Sequence, residues 1–187
     1  MHHKDSTHVN CTCCAGLGQT VERRRFLQFA AVGGAAALAG FTPRLVLSAT
    51  GNYEAMLLSC IDPRFVQLHH DYMNGRGLKG KYSQFVIAGG PLTMTTPKFA
   101  DWDKASGDNL GASIQLHNIT KVIALSHRDC GAAKLAYGEE AVKDMATETA
   151  THTASLKDFV SLVRKNQPKL AVETGIIGLD GKVQMFG

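Results

Sequence analysis

The chain has few cysteines, no long apolar run and little net charge over most of its length, and each absence excludes a class of protein. Of its five cysteines, only Cys60 and Cys130 lie after residue 49, which is too few for a disulfide-stapled scaffold. The apolar stretch at residues 29–41 is rich in alanine and glycine. It is shorter than the about 20 residues that a stable membrane span needs. Internal repeats and P-loop patterns are also missing, which excludes a repeat protein and a P-loop nucleotide-binding enzyme.

The net charge of +4 belongs mostly to the N-terminal part of the chain. Residues 1–49 contain 5 Lys and Arg against 2 Asp and Glu, whereas residues 50–187 contain 15 against 14. No basic face with interleaved aromatic residues occurs in the second part, so we expect no nucleic-acid partner.

The N-terminal segment has the features of an export signal. Residues 23–28 (RRRFLQ) match the twin-arginine (Tat) export motif, and the apolar stretch at 29–41 follows directly. These features predict a leader over residues 1–49, one domain over residues 50–187, and a periplasmic or otherwise exported protein. The alternative is an amphipathic or buried helix of the mature fold.

A group of potential metal ligands precedes the export motif. If the leader is retained, this group predicts a second metal or redox site; if the leader is removed, the group is discarded with it. The residues are His2, His3, His8, Cys11, Cys13 and Cys14.

Alternating apolar runs and helical patterns predict a single α/β domain with a central, mostly parallel sheet flanked by helices. We expect an amphipathic helix from about residue 108, preceded by a loop, with an apolar face of Leu110, Ile114 and Leu116. Asp180-Gly181 predicts a hairpin turn into a last strand. The predicted strands cover residues 54–60, 83–88, 121–126, 172–179 and 183–186. The other predicted helices cover residues 65–73, a segment from about residue 130, and one or two segments between residues 139 and 166.

Two short segments carry the chemistry of the chain. Cys60 ends one buried strand, and His127 follows another, with Cys130 three residues later. Carboxyl ends of parallel strands meet at one edge of a sheet, where open α/β folds bind ligands. Two thiolates and one imidazole form the ligand set of a catalytic zinc site with an open fourth position. The pattern therefore predicts an enzyme that activates water on zinc.

Each residue also has a simpler interpretation. Cys60 alone is typical of a small buried apolar residue, and Cys60 with Cys130 would also suit a disulfide in an oxidising compartment. Asp62-Pro63-Arg64 alone is typical of a solvated turn. The order of C-x-D-x-R and H-x-x-C-G, each after its own strand, favours the metal site.

The segments 60–64 and 127–132 resemble the two signature segments of the β-class carbonic anhydrases, and the similarity extends from about residue 54 to the C-terminus. The resemblance implies a carbonic anhydrase (carbonate dehydratase, a zinc lyase) that hydrates carbon dioxide reversibly to bicarbonate by means of zinc-bound hydroxide. Cys60, His127 and Cys130 would bind one Zn²⁺ per subunit, and Asp62 and Arg64 would form the family's catalytic dyad. In an inactive arrangement, Asp62 would itself become the fourth metal ligand.

The resemblance also implies a homodimer or larger homo-oligomer. Where the family usually has Arg-Asn-Ala-Gly-Asn after its second strand, residues 86–90 read Val-Ile-Ala-Gly-Gly. This departure keeps two alternatives open: a related zinc hydrolase acting on carbonyl sulfide or carbon disulfide, and a non-catalytic exported zinc-binding module. His69, His70 and His117 are candidates either for proton transfer or for ordinary packing.

Overall fold

A five-stranded sheet forms the centre of the computed structural model, which describes residues 51–186. The predicted leader, its twin-arginine segment and the N-terminal His and Cys group lie outside the described residues. The strands lie in the order β2-β1-β3-β4-β5. They are β1 (Ala55–Ser59), β2 (Tyr82–Val86), β3 (Lys121–His127), β4 (Ala171–Ile177) and β5 (Val183–Phe186). The first four strands are parallel, and β5 is antiparallel to β4, so the predicted mostly parallel α/β sheet is confirmed.

Helices cover both faces of this sheet. They are α1 (Val66–Gly75), α2 (Ala100–His117), α3 (Gly131–Tyr137) and α4 (Met145–Asn166). Short 3-10 turns occupy Pro63–Phe65, Gly90–Met94, Pro97–Phe99 and Glu139–Val142. Residues of α2 and α4 pack against one face of β1 and β3, and residues of α1 pack against the other. Within residues 51–186, no helix combines the length and apolar character that a membrane crossing requires.

Strands β1 and β3 are buried on both faces, which explains their continuous apolar sequences. All five residues of β1 are buried, as are six of the seven in β3. A parallel strand sandwiched between helix layers has no solvent face and therefore shows no alternation of polar and apolar residues. These two strands are hydrogen-bonded neighbours, with Leu58 beside Ala124.

The second helix differs from its sequence-based prediction. It begins at Ala100 rather than near residue 108, and the preceding segment contains two 3-10 turns rather than one loop. Residues 100–105 are all exposed, so the first turns of the helix have no apolar periodicity to reveal them. The predicted apolar face is correct for Leu110 and Ile114, but Leu116 is 49% exposed and does not belong to it.

The predicted hairpin at the end of the chain is confirmed. Gly181 adopts φ +77°, which a turn of this kind requires and which favours glycine. The Asp180 carboxylate accepts a hydrogen bond from the Lys182 amide at 3.1 Å and closes the turn. Strand β5 then pairs with β4 at the edge of the sheet.

Candidate metal centre

Three potential metal ligands meet at the carboxyl edge of the sheet. Cys60 directly follows β1, His127 is the last residue of β3, and Cys130 immediately precedes α3. Because β1 and β3 are parallel neighbours, their ends lie side by side. Donor atoms of the three residues lie within 4.8 Å of one another, and all three residues are buried. Both cysteines are free, so the disulfide alternative is wrong in this structure.

The hydrogen bonding of His127 leaves one nitrogen available to a metal. Its Nδ1 lies 2.8 Å from the carbonyl oxygen of Arg128. A carbonyl oxygen only accepts, so Nδ1 carries the proton and Nε2 has a free lone pair. That Nε2 is buried and has no hydrogen-bond partner. Leaving a buried polar atom unpaired is unfavourable, and a bound cation would satisfy it.

The two cysteine thiols shift each other's pKa in opposite directions. The hydrogen bond from Cys130 lowers the pKa of Cys60 to about 4, against the opposing effect of burial. The same hydrogen bond, together with burial, raises the pKa of Cys130 well above its usual range. The backbone amide of Gly89 also donates to the Cys60 sulfur at 3.2 Å. A lowered pKa favours the thiolate, which is the form of cysteine that binds a metal.

Asp62 and Arg64 form an ion pair beside this cluster. The Arg64 Nη2 lies 2.7 Å from Asp62 Oδ2, and the Arg64 Nε and backbone amide lie 3.0 Å from Oδ1. These bonds lower the pKa of Asp62 to about 2, so its carboxylate is ionised at neutral pH. Asp62, which sequence reasoning included among possible metal ligands, is held by Arg64 and is not part of the three-residue cluster.

Sequence reasoning missed two carboxylates at this centre. Asp129 Oδ2 accepts a second hydrogen bond from Arg64, at 2.7 Å from Nη1. Glu148, on α4, accepts from the Asp129 backbone amide at 2.6 Å and from Arg128 Nη1 at 3.1 Å. Asp129 lies within the H-x-x-C segment, so the sequence alone indicated an acidic side chain next to the ligands. Glu148 belongs to a distant helix and matches no motif, so the sequence gives no signal for it.

The histidines near the sheet occupy different environments. Burial lowers the pKa of His69 to about 4. His69 is therefore a poor proton acceptor at neutral pH, and its ring packs on Phe65. His70 is exposed, and His117 contacts Tyr53, which precedes β1 at the opposite edge of the sheet. His117 therefore lies far from the candidate centre.

The segment after β2 is closely packed against the first ligand. A Cβ atom on Gly90 would lie 2.9 Å from the carbonyl carbon of Ser59, and Gly90 has φ +54°. Val86, at the end of β2, pairs with Ser59 and is 43% exposed. The departure from the family pattern thus places an apolar, half-exposed side chain on the strand next to β1.

The residues present fit a zinc ion. Two buried sulfurs and an unpaired imidazole nitrogen match the ligands of catalytic zinc sites with three protein ligands, and thiolates disfavour Mg²⁺ or Ca²⁺. The hydrogen bond of His127 Nδ1 to a backbone carbonyl is the orientation that metal-binding histidines usually have. Zinc is therefore the metal that this donor set suits best.

Comparison with known proteins identifies relatives and a fold. The chain is 32% identical over 131 residues to an uncharacterized protein of Rickettsia conorii, covering 70% of each chain. It is 31% identical over 131 residues to one of Rickettsia bellii, covering 70% of this chain and 80% of the relative. No family model matches.

Solved structures with a similar backbone are β-carbonic anhydrases. One is a tetrameric enzyme of Sordaria macrospora, with a TM-score of 0.52, 12% identity, and coverage of 88% of this chain and 95% of that one. Another is from Aspergillus fumigatus, with a TM-score of 0.51, 10% identity, and coverage of 73% and 90%. At this identity the likeness establishes the fold.

Proposed function

We propose that this chain, which belongs to the same protein family as the two Rickettsia proteins and has the β-carbonic anhydrase fold, is a zinc-dependent carbonic anhydrase. The reaction is the reversible hydration of carbon dioxide to bicarbonate and a proton. The observation that carries the proposal is the buried Cys60, His127 and Cys130 cluster with an ionised Asp62 held beside it by Arg64. A purely structural metal site has no use for such a carboxylate, which argues against a non-catalytic module.

The metal would be held by the two cysteine sulfurs and by Nε2 of His127. When bound, zinc supplies the nucleophile by lowering the pKa of a coordinated water towards neutrality. Three protein ligands leave a fourth tetrahedral position for that water. Burial of all three residues separates the centre from bulk solvent.

Asp62 would orient the attacking water. Its carboxylate is ionised at neutral pH and is only 17% exposed, so it can accept a hydrogen bond from the water with little competition from solvent. Arg64 keeps that carboxylate ionised and fixes its position through a bidentate contact, from Nε to Oδ1 and from Nη2 to Oδ2. The orienting carboxylate is thus fixed before the substrate arrives, which is a requirement for efficient electrostatic catalysis.

The proposed centre suits several small, uncharged substrates. Carbon dioxide, carbonyl sulfide and carbon disulfide are all small and uncharged. The exposed side chain of Val86 favours an apolar substrate over a polar one. A zinc hydrolase acting on carbonyl sulfide or carbon disulfide is therefore the second candidate. The same zinc-loaded protein can be assayed with each substrate.

Stopped-flow measurement of carbon dioxide hydration tests the proposed function. We expect Asp62→Asn to retain zinc but to lose about 10- to 100-fold in kcat/KM, because the metal ligands remain while the orienting charge is removed. Asp71→Asn, an exposed carboxylate on α1, is the matched control and should behave like the wild type. Hydration no faster than buffer alone between pH 7 and 9 would refute the proposal, and full activity of Asp62→Asn would refute the role of Asp62.

We also propose a homo-oligomer and export through the twin-arginine pathway. Ile61 and Val66 flank the Asp62–Arg64 pair and are 57% and 62% exposed, so a second subunit would remove apolar surface from water there. Sedimentation velocity showing only monomer at micromolar concentration would contradict the first proposal. Export is supported by the sequence of residues 23–41 alone, and replacing Arg23 and Arg24 by Lys should retain the protein in the cytoplasm.

A further inference from the structure

Arg64 connects the two segments that carry the metal ligands. Towards the Cys60 segment it donates to both oxygens of Asp62. Towards the His127 segment it donates to the Asp129 carboxylate at 2.7 Å and to the Asp129 carbonyl oxygen at 3.0 Å. The guanidinium is therefore fixed from both sides, and its position depends on Asp129 as much as on Asp62.

Asp129 makes these contacts from an uncommon backbone conformation. Its φ is +55°, in the left-handed region that residues other than glycine, asparagine and aspartate rarely occupy. Its side chain is 74% exposed, so burial does not hold it in place. The backbone of this residue is held instead by an interaction with another element.

Glu148 supplies that interaction. It is only 6% exposed, and each of its oxygens accepts a hydrogen bond: Oε1 from the Asp129 amide and Oε2 from Arg128. Arg128 is itself fixed, because its other contacts are the carbonyl oxygen of Met145 and the side chain of Gln184. Glu148 is thus a buried, fully paired carboxylate that binds the backbone of the ligand loop.

We propose that Glu148 and Asp129 are positioning residues for the metal centre, which act through Arg64. Glu148 holds the loop in its left-handed turn, and Asp129 then anchors the guanidinium. Arg64 so anchored keeps the Asp62 carboxylate off the metal and the fourth position open. This inference rests on the proposed function, since it concerns the same centre.

Arg64 and the metal compete for the carboxylate of Asp62. Asp62 lies two residues from Cys60, and a carboxylate oxygen is an acceptable zinc ligand. Its bonds to Arg64 oppose that alternative. An arginine bound to Asp62 alone, with half of its side chain in water, could follow the carboxylate as it moved towards the metal. An arginine also bound to Asp129 cannot follow without breaking those bonds. The second anchor therefore decides the position of Asp62.

The test measures how tightly an added anion binds at the fourth metal position; it does not measure turnover. The full chain is loaded with Co²⁺, and azide is titrated while the visible d–d absorption is followed. The variants are Asp129→Gly and Glu148→Gln. Asp129→Gly removes the carboxylate while glycine tolerates the positive φ, so the backbone is not strained. We expect one Co²⁺ per chain in both variants and an azide Kd at least tenfold higher than in the wild type.

A matched control and a rescue exclude a merely structural effect. Glu173→Gln breaks a similar glutamate–arginine pair, with Arg76, on the α1 side of the sheet, and should leave the azide Kd unchanged. Adding Asp62→Asn to either variant should restore the azide affinity of the Asp62→Asn single variant within twofold, because a neutral amide is a poor competitor for the metal.

The other possible outcomes refute either the positioning role, the metal centre or the proposed reaction. An azide Kd for Asp129→Gly within twofold of the wild type, or a loss that Asp62→Asn does not reverse, refutes the positioning role. If Glu148→Gln fails to fold, Asp129→Gly alone decides. A wild-type chain that shows no thiolate-to-Co²⁺ charge-transfer band refutes the metal centre and this inference together. Inactivity in carbon dioxide hydration, with normal Co²⁺ and azide binding, refutes only the proposed reaction.

Discussion

At the scale of single residues, the centre depends on small differences in hydrogen bonding. His127 presents Nε2 to the cluster because Nδ1 is committed to the Arg128 carbonyl oxygen. The pKa of Cys60 is lowered, which favours the thiolate form that binds a metal. A cation entering the cluster would pair with the unpaired Nε2 of His127 and release the proton of Cys130, so binding of the metal is coupled to proton release.

Cys130→Ala should therefore abolish stable zinc binding. Two ligands remain, and we expect the affinity for zinc to fall by more than the about 10- to 100-fold that loss of an outer hydrogen-bond partner costs. Thermal unfolding in zinc should occur at a lower temperature than for the wild type, because the folded variant no longer gains free energy from the metal. Metal content after dialysis and the melting temperature measure both effects.

Ser126→Ala is the control for this prediction, since Ser126 is buried in β3 next to His127 but offers no zinc ligand. A chelator should lower the melting temperature of the wild type and of Ser126→Ala and leave Cys130→Ala almost unchanged. Zinc retained by Cys130→Ala through dialysis would contradict the assignment of Cys130 as a ligand.

Sequence reasoning found the residues with distinctive chemistry and missed those with ordinary chemistry. Cys60, His127 and Cys130 were recognisable because few side chains bind zinc and because their spacing matched two strand ends. Glu148 was not recognisable, because a glutamate in a polar helix is common. Its role depends on α4 being packed against the ligand loop, which only the folded chain reveals.

At the scale of elements, the segment after β2 is fixed by a close approach of two backbones. Gly89 and Gly90 both have positive φ, and the Gly89 amide donates to Cys60. The Ser59 backbone leaves no room for a side chain at Gly90. Gly90 stands where the resembled family usually has asparagine, the other residue that tolerates a left-handed backbone.

Gly90→Ala should destabilise the protein by about 1–3 kcal/mol through backbone strain alone, and the contact with Ser59 adds to this. Gly111→Ala, inside α2 with no atom within 4 Å of the added Cβ, is the matched control and should stabilise by about 0.5–1 kcal/mol. Urea unfolding of both variants provides the measurement. If Gly90→Ala and the wild type were equally stable, neither the positive φ of Gly90 nor its contact with Ser59 would constrain this segment.

The elements themselves were predicted unequally. Buried strands β1 and β3 were evident from short, continuous apolar runs, and the last hairpin from Asp180-Gly181. The start of α2 was not evident, because a helix that projects its first turns into solvent has no apolar stripe there. Gly107 and Gly111 lie within α2, where packing of Leu110 and Ile114 on the sheet offsets the low helix propensity of glycine.

At the scale of the whole molecule, burial of uncharged histidines should make stability depend on pH. His152, on α4, is 0% exposed, and neither ring nitrogen has a partner. Burial lowers its pKa from 6.5 to about 4, with a smaller effect from the charge of Arg128. The unfolded chain therefore binds a proton at His152 more readily than the folded protein does, so acid favours unfolding.

The free energy of unfolding of the metal-free protein should fall as the pH falls from about 6.5 to about 4. His152 should contribute about 3 kcal/mol to this loss, and nothing further below about pH 4. His152→Leu should reduce the loss by that amount, as measured by urea unfolding at pH 7 and 4.

Val163→Ala is the control for the pH prediction. It shortens a buried apolar side chain of the same helix and should lower the free energy of unfolding equally at both pH values. If His152→Leu had the same pH dependence as the wild type, the ring of His152 would have to be solvated or paired in solution.

The parallel pairing of β1 with β3 also determines when the metal centre forms during folding. Cys60 and His127 are distant in sequence, and a parallel pair requires a long crossover connection rather than a short hairpin. Contacts between distant segments form late and slowly in folding, because a large loop must close first. No fragment that ends before β3 contains the complete ligand set. Zinc capture by this chain would therefore report that the slowest part of sheet assembly is finished.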